Sequence, residues 1–161
     1  MFDELPQWVK VFLMSMVPWL ESRYVIPFAI LRFSWEWWQA FPLAILGNMV
    51  PVPFILFFFH SVERFLRRYK MFANLLDKLF TITRKRANNK IKQYEYLGLL
   101  MFVAVPLPFT GAWTGSLIAY LFNLRFSKSI VTILVGVITA SAITTTVTLT
   151  GTYLWLWFSR W

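Results

Sequence analysis

Apolar residues in this chain come in blocks, and the blocks recur in the same order. Trp8–Leu20 is apolar, Glu21-Ser22-Arg23 interrupts, and Tyr24–Phe33 is apolar again; Trp37–His60 then runs 24 residues without a formal charge. After a polar middle at 61–96, Leu97–Val105 is apolar, Pro106-Leu107-Pro108-Phe109-Thr110-Gly111 interrupts, and Ala112–Asn123 follows; Ser129–Phe158 closes the pattern with 30 residues. A membrane-crossing helix needs roughly 20 apolar residues. The two long stretches meet that length, the last with room to tilt or protrude. The arms on either side of each interruption have only about half of it, which predicts two hairpins that enter and leave the membrane on one side.

The expected fold is therefore an all-α integral membrane protein made as a single domain over 1–161. It has two inverted repeats, each a re-entrant helical hairpin (8–34 and 97–123) followed by a long transmembrane helix (37–60 and 129–158). A basic amphipathic segment, 61–96, joins them on the cytoplasmic side. Four simple spans are the rival arrangement. Arg125 and Lys128 lie inside the cell if 97–123 is re-entrant and outside if it crosses, and positive residues are retained inside. Pro51 and Pro53, close after Gly47 and Asn48, should kink the first long helix.

Composition agrees with this reading. Hydrophobic residues make up 58% of the chain and charged residues 14%, far from the roughly 25% charged of a soluble domain. The net charge of +9 would suggest nucleic acid in a soluble protein, but +7 of it falls between Ser61 and Tyr96. A basic block between apolar ones marks a cytoplasmic loop, so no nucleic acid is expected. Within it Val62, Phe65, Leu66, Tyr69, Phe72, Leu76, Leu79 and Phe80 recur at helical spacing, which suits a helix lying on anionic headgroups or a solvated topology determinant. The start, MFDELPQWVK, has no basic region ahead of its apolar stretch, so no cleavable signal peptide is expected. With no cysteine and a single histidine, His60, no metal centre or other cofactor is expected.

Candidate chemistry sits at the interruptions. Ionisable side chains in apolar surroundings are costly and mark ion or substrate paths. Glu21 is thus a candidate proton carrier and Arg23 an anchor for an anionic group, with Ser22 a candidate cap for the arm that follows and Pro27, near its first turn, a candidate helix break. At the second break Pro106 and Pro108 should stop one helix and Thr110 should cap the next near Gly111. The amides around Gly111, Trp113 and Thr114 would then favour negative charge. Asn48 needs a hydrogen-bonding partner in lipid and is a candidate cavity residue or a local patch for carbonyls freed by the kink. In the last stretch Gly136, Ala140, Thr144, Thr148 and Thr152 form a small-residue stripe suited to close packing. No Walker loop, HExxH or GxSxG motif is present, and no enzymatic activity is expected.

Three motifs in this order, Glu21-x-Arg23-x-x-x-Pro27, Gly47-Asn48-x-x-Pro51-x-Pro53 and Pro106-x-Pro108-x-Thr110-Gly111-Ala112-Trp113-Thr114-Gly115, resemble those of the small multidrug export family. That family is similar in turn to the DedA/VTT membrane proteins, whose fold has two inverted re-entrant loops. The resemblance implies that 21–27 and 106–111 are the two re-entrant tips, in a prokaryotic inner-membrane, multi-pass protein. It also implies transport of an amphiphilic or anionic lipid-like substrate, for example a polyprenyl or other lipid phosphate, or of a drug, with protons as the coupling ion. Phe109 stands where a small residue is expected. The expected partners are membrane lipids, substrate and protons, and a second copy in a homodimer. The contrasting reading is a membrane scaffold or assembly factor that holds partners through its basic helix.

Overall fold

The computed structural model describes residues 5–66, 89–107 and 110–158. Among these it is helical, with no strand: α1 (Gln7–Met16), α2 (Glu21–Phe33), α3 (Trp37–Met49), α4 (Pro51–Leu66), α5 (Asn89–Ala104), α6 (Ala112–Leu121) and α7 (Phe126–Phe158).

The breaks have local causes. Pro18 pushes Val17 into extended backbone at φ −75° and ψ 131°, which ends α1. The chain turns through 17–20, and Glu21 opens α2 with φ 40°, a left-handed value that a non-glycine residue adopts only when its surroundings hold it there. Glu36 and Gln39 form a reciprocal capping box at the start of α3. Val50 separates α3 from α4, and Pro51 takes the first position of α4, where its missing N–H has no cost.

Several sequence expectations are corrected here. Pro27 lies inside α2 and does not break it, because Val25, Ile26 and Ala29 on either side are buried and hold the helix through it. Helix α5 begins at Asn89, so 89–96 belongs to the helix that follows the polar middle, with no proline or glycine to delay its start. Of the amphipathic pattern from Val62 to Phe80, residues 67–80 lie outside the described residues, as does Pro108.

Packing follows one scheme twice. Helices α1 and α2 pack on each other and on α3, while α5 and α6 pack on each other and on α7. The halves meet where α2 lies on α7 and α6 lies on α4. Val11, Val25, Ile26, Ala29, Ala40 and Ala44 fill the first half. A larger cluster including Val52, Leu99, Val103, Ala112, Ile133 and Val137 fills the second half and its contact with α4. The Val103 side chain sits between α6 and α7: a Cβ added to Gly115 or Gly136 would stand 2.6 and 2.7 Å from it.

The outer surface is apolar. Trp19, Leu31, Leu46, Phe54, Phe57, Met101 and Val147 are exposed, a pattern expected of a surface facing lipid. Two helical stretches, Trp37–Phe58 and Phe126–Thr152, are long and apolar enough to cross a membrane. Only 33% of the most apolar part of each is buried, which is too little for the core helix of a water-soluble domain.

Candidate functional site

The two breaks meet, and Glu21 and Arg23 from the first reach into the second. Arg23, 6% exposed, spreads its guanidinium over the end of α5 and the chain beyond it. Nη2 donates to Val103 O at 2.6 Å and to Thr110 O at 3.0 Å; Nη1 donates to Leu107 O and Thr110 Oγ1, both at 2.8 Å. These carbonyls follow from the prolines: where the helix stops, acceptors lose their helical donors. A planar fork of charged N–H groups can serve several of them at once.

Glu21 turns to the opposite kind of helix end. Its carboxylate accepts the backbone N–H of Trp113, the second residue of α6. It lies so close over Gly111 that a Cβ there would coincide with the carboxyl atoms. A helix N-terminus offers free donors and a positive dipole end, so a carboxylate is stabilised at that place. Glu21 and Arg23, two apart in sequence, therefore each serve one end of the same break, and their charges also attract each other.

The second half returns the contact. Trp113 donates its indole Nε1–H to Met16 O, the last residue of α1, at 3.1 Å. Each break thus has carbonyls covered by a side chain from the other.

The capping residues differ from the sequence expectation. Gly111, not Thr110, is the residue before α6, and it makes no side-chain cap. The Thr110 hydroxyl lies 2.8 Å from Val105 O and 2.9 Å from Leu107 O, so carbonyls in the turn beyond α5 claim its proton. Thr114 Oγ1 bonds back to Gly111 O at 3.2 Å. Ser22 is not a cap either, since α2 already begins at Glu21; its hydroxyl faces the interior.

There Ser22 Oγ accepts from Asn48 Nδ2 at 3.1 Å and from Ser141 Oγ at 2.9 Å. All three are buried. Asn48 thus finds its partner on α2, and Ser22 links the long helix of each half to the first break. The structure brings Glu21, Arg23, Thr110, Gly111 and Trp113 into one constellation, with Thr114 one turn along and Asn48 reached through Ser22. The role of Ser22 carries no signal in the sequence, where serine suits many places in a helix.

No curated protein and no solved structure matches the chain. The family described as "Putative small multi-drug export protein" matches residues 21–143, a stretch that begins at Glu21 and takes in both breaks and the Ser22–Asn48–Ser141 cluster. On that match, the chain belongs to this family of small, export-type membrane proteins.

Proposed function

We propose that the chain is a multi-pass transporter of the prokaryotic inner membrane, with 8–34 and 97–123 re-entrant and the two halves in opposite orientation. Its substrate is amphiphilic, a lipid phosphate or a drug with an anionic headgroup, and protons drive it. The observation that carries this reading is the Glu21 carboxylate seated on the Trp113 N–H over Gly111. A negative headgroup would occupy that same helix end, so carboxylate and substrate compete for it. When Glu21 takes a proton its hold on the amide weakens and the helix end becomes available to an anion. Loss of the proton expels the anion again. Arg23 stands beside the exchange and supplies positive charge.

The similarity to DedA/VTT proteins implies the same arrangement of two facing tips. Assembly as a homodimer and contact of 61–96 with anionic headgroups belong to this reading.

The test is transport in liposomes holding purified protein under an imposed pH gradient. The probes are a fluorescent phosphatidic acid, read by dithionite quenching, and ethidium as a cationic control. The expected result is gradient-dependent movement of the lipid phosphate, with Glu21→Gln insensitive to the gradient and Arg23→Gln inactive. Equal transport by parent and both variants would refute the assignment. A cytoplasmic reporter fused after residue 161 would refute the opposite orientation of the halves.

A further inference from the structure

Away from the two breaks, α5 and α6 leave a groove between them. Leu99, 2% exposed, forms its floor, and Phe102 stands beyond it on α5. Ile118 of α6 and Phe122, the residue after that helix, complete the walls. Gly98 also lines the groove, and a Cβ added there would meet nothing within 4 Å. Glycine inside a helix costs stability relative to alanine, and no close contact requires one at this position. What Gly98 leaves is room. The volume is about 350 Å³, at the lower end of the range of about 300–1,000 Å³ for small-molecule sites.

The groove has unlike ends. Toward Phe102 its lining is apolar, whereas Tyr94 and Glu95 stand near the start of α5. Glu95 is the only charged residue of the lining among the described residues. Its side chain is half-buried and makes no hydrogen bond or ion pair among those residues. Lys92 precedes it by three positions on α5, and a lysine before a glutamate is the weaker order for a helical ion pair. A carboxylate accepts hydrogen bonds and donates none, so the complement of this end is positive. The rings of Tyr94, Phe102 and Phe122 line the same space, and aromatic faces attract cations. From Glu95 to Phe102 the helix rises about 10 Å, which gives a hydrocarbon chain an apolar bed. An anionic head would be repelled at Glu95, and a neutral one would leave its charge unmet.

We propose that this groove binds a single-chain amphiphile with an ammonium head. The head sits at Glu95 among the aromatic rings, and the hydrocarbon chain lies over Leu99 toward Phe102. This goes beyond the transport reading and uses none of the residues assigned to proton exchange.

The experiment uses the full chain, purified in dodecyl maltoside, with 14C-labelled dodecyltrimethylammonium as the probe. Retention is measured by scintillation proximity, with unlabelled dodecyltrimethylammonium or dodecyl sulfate as competitor. The expected result is saturable retention that the cation displaces and the sulfate does not. Glu95→Gln should weaken it by at least about 10-fold, through loss of the charge facing the head. Gly98→Leu places a side chain in open space and should abolish retention while the protein stays folded. Glu36→Gln, which removes a carboxylate at the start of α3, should leave retention unchanged. No saturable retention by the parent would overturn the proposal, as would retention unchanged in either Glu95→Gln or Gly98→Leu. Light scattering of the same samples reads their mass. A dimer that Gly98→Leu dissociates, with no saturable retention by the parent, would give the groove to a second copy instead. The assay imposes no gradient and contains no lipid phosphate, so its failure is distinct from failure of the transport test.

Discussion

Replacing Gly111 by alanine separates what the glycine does for the backbone from what it does for Glu21. At φ −90° and ψ −161° the backbone is one that any residue adopts, so the substitution carries no conformational cost. Its methyl group, however, would occupy the place of the Glu21 carboxylate. The carboxylate must leave and give up the Trp113 N–H. A hydrogen bond to a charged group contributes about 1.5–3 kcal/mol, and the helix end adds about 0.3–1 kcal/mol. Gly111→Ala should therefore destabilise the fold by about 2–4 kcal/mol. Glu21→Ala should cost a similar amount for the same reason, and it vacates the space that the methyl group needs. The double variant should then be no less stable than Glu21→Ala alone, a coupling close to the whole cost of Gly111→Ala. Equilibrium unfolding of the four proteins in mixed micelles measures this cycle. Two costs that simply add would refute the reasoning, because Gly111 would then matter for something other than room for the carboxylate.

Four further substitutions test the caps and the helix packing, each by the same unfolding measurement. Arg23→Lys keeps the charge but loses the fork, so it should cost about 2–4 kcal/mol; a change under about 0.5 kcal/mol would mean the four contacts contribute little. Trp113→Phe keeps the ring and loses the bond to Met16 O, for about 1 kcal/mol, and a neutral result would remove the reciprocal cap from the account. A Cβ at Gly47 would stand 2.5 Å from the Phe12 carbonyl oxygen, whereas one at Gly98 meets nothing within 4 Å. Gly47→Ala should thus destabilise by about 1–3 kcal/mol and Gly98→Ala should stabilise by about 0.5–1 kcal/mol; the opposite order would refute the close contact of α1 with α3.

Helix positions were legible in the sequence because their causes are local. Pro51 and Pro106 interrupt or stop helices by what they do to their own neighbours, and an apolar run shows its length directly; Pro18, inside the run Trp8–Leu20, ends α1 at Met16 by the same local means and went unread. Glu21 and Arg23 stood out because charge in apolar surroundings is costly wherever it lies. Their partners were not legible. Val103 O, Leu107 O and the Trp113 N–H are backbone atoms some 80–90 residues away, and every residue type carries the same ones. Capping expectations failed for a related reason. Thr110 and Ser22 have the right chemistry for caps, but the turn beyond α5 offered carbonyls to one hydroxyl, and Asn48 and Ser141 claimed the other.

The spacing of Glu21 and Arg23 acquires a meaning that an ion pair would not give it. Residues two apart on a helix point in different directions and pair poorly. A helix break presents two unlike surfaces a short distance apart, carbonyls where one helix ends and amides where the next begins. A carboxylate and a guanidinium that diverge from one short segment match those surfaces in kind: Arg23 takes the acceptors at the end of α5, and Glu21 takes the donors at the start of α6. This arrangement also explains why the pair belongs at a break in the first half while its targets lie in the second. Any motion that draws the halves apart must release both contacts together with the Trp113–Met16 bond, leaving two buried charges without partners on the first half and uncovered carbonyls and amides on the second. Such a separation is expensive unless a proton neutralises Glu21, an anion takes its place on the amides, or both occur. The exchange proposed for transport is thus the one that lowers the cost of the motion transport requires.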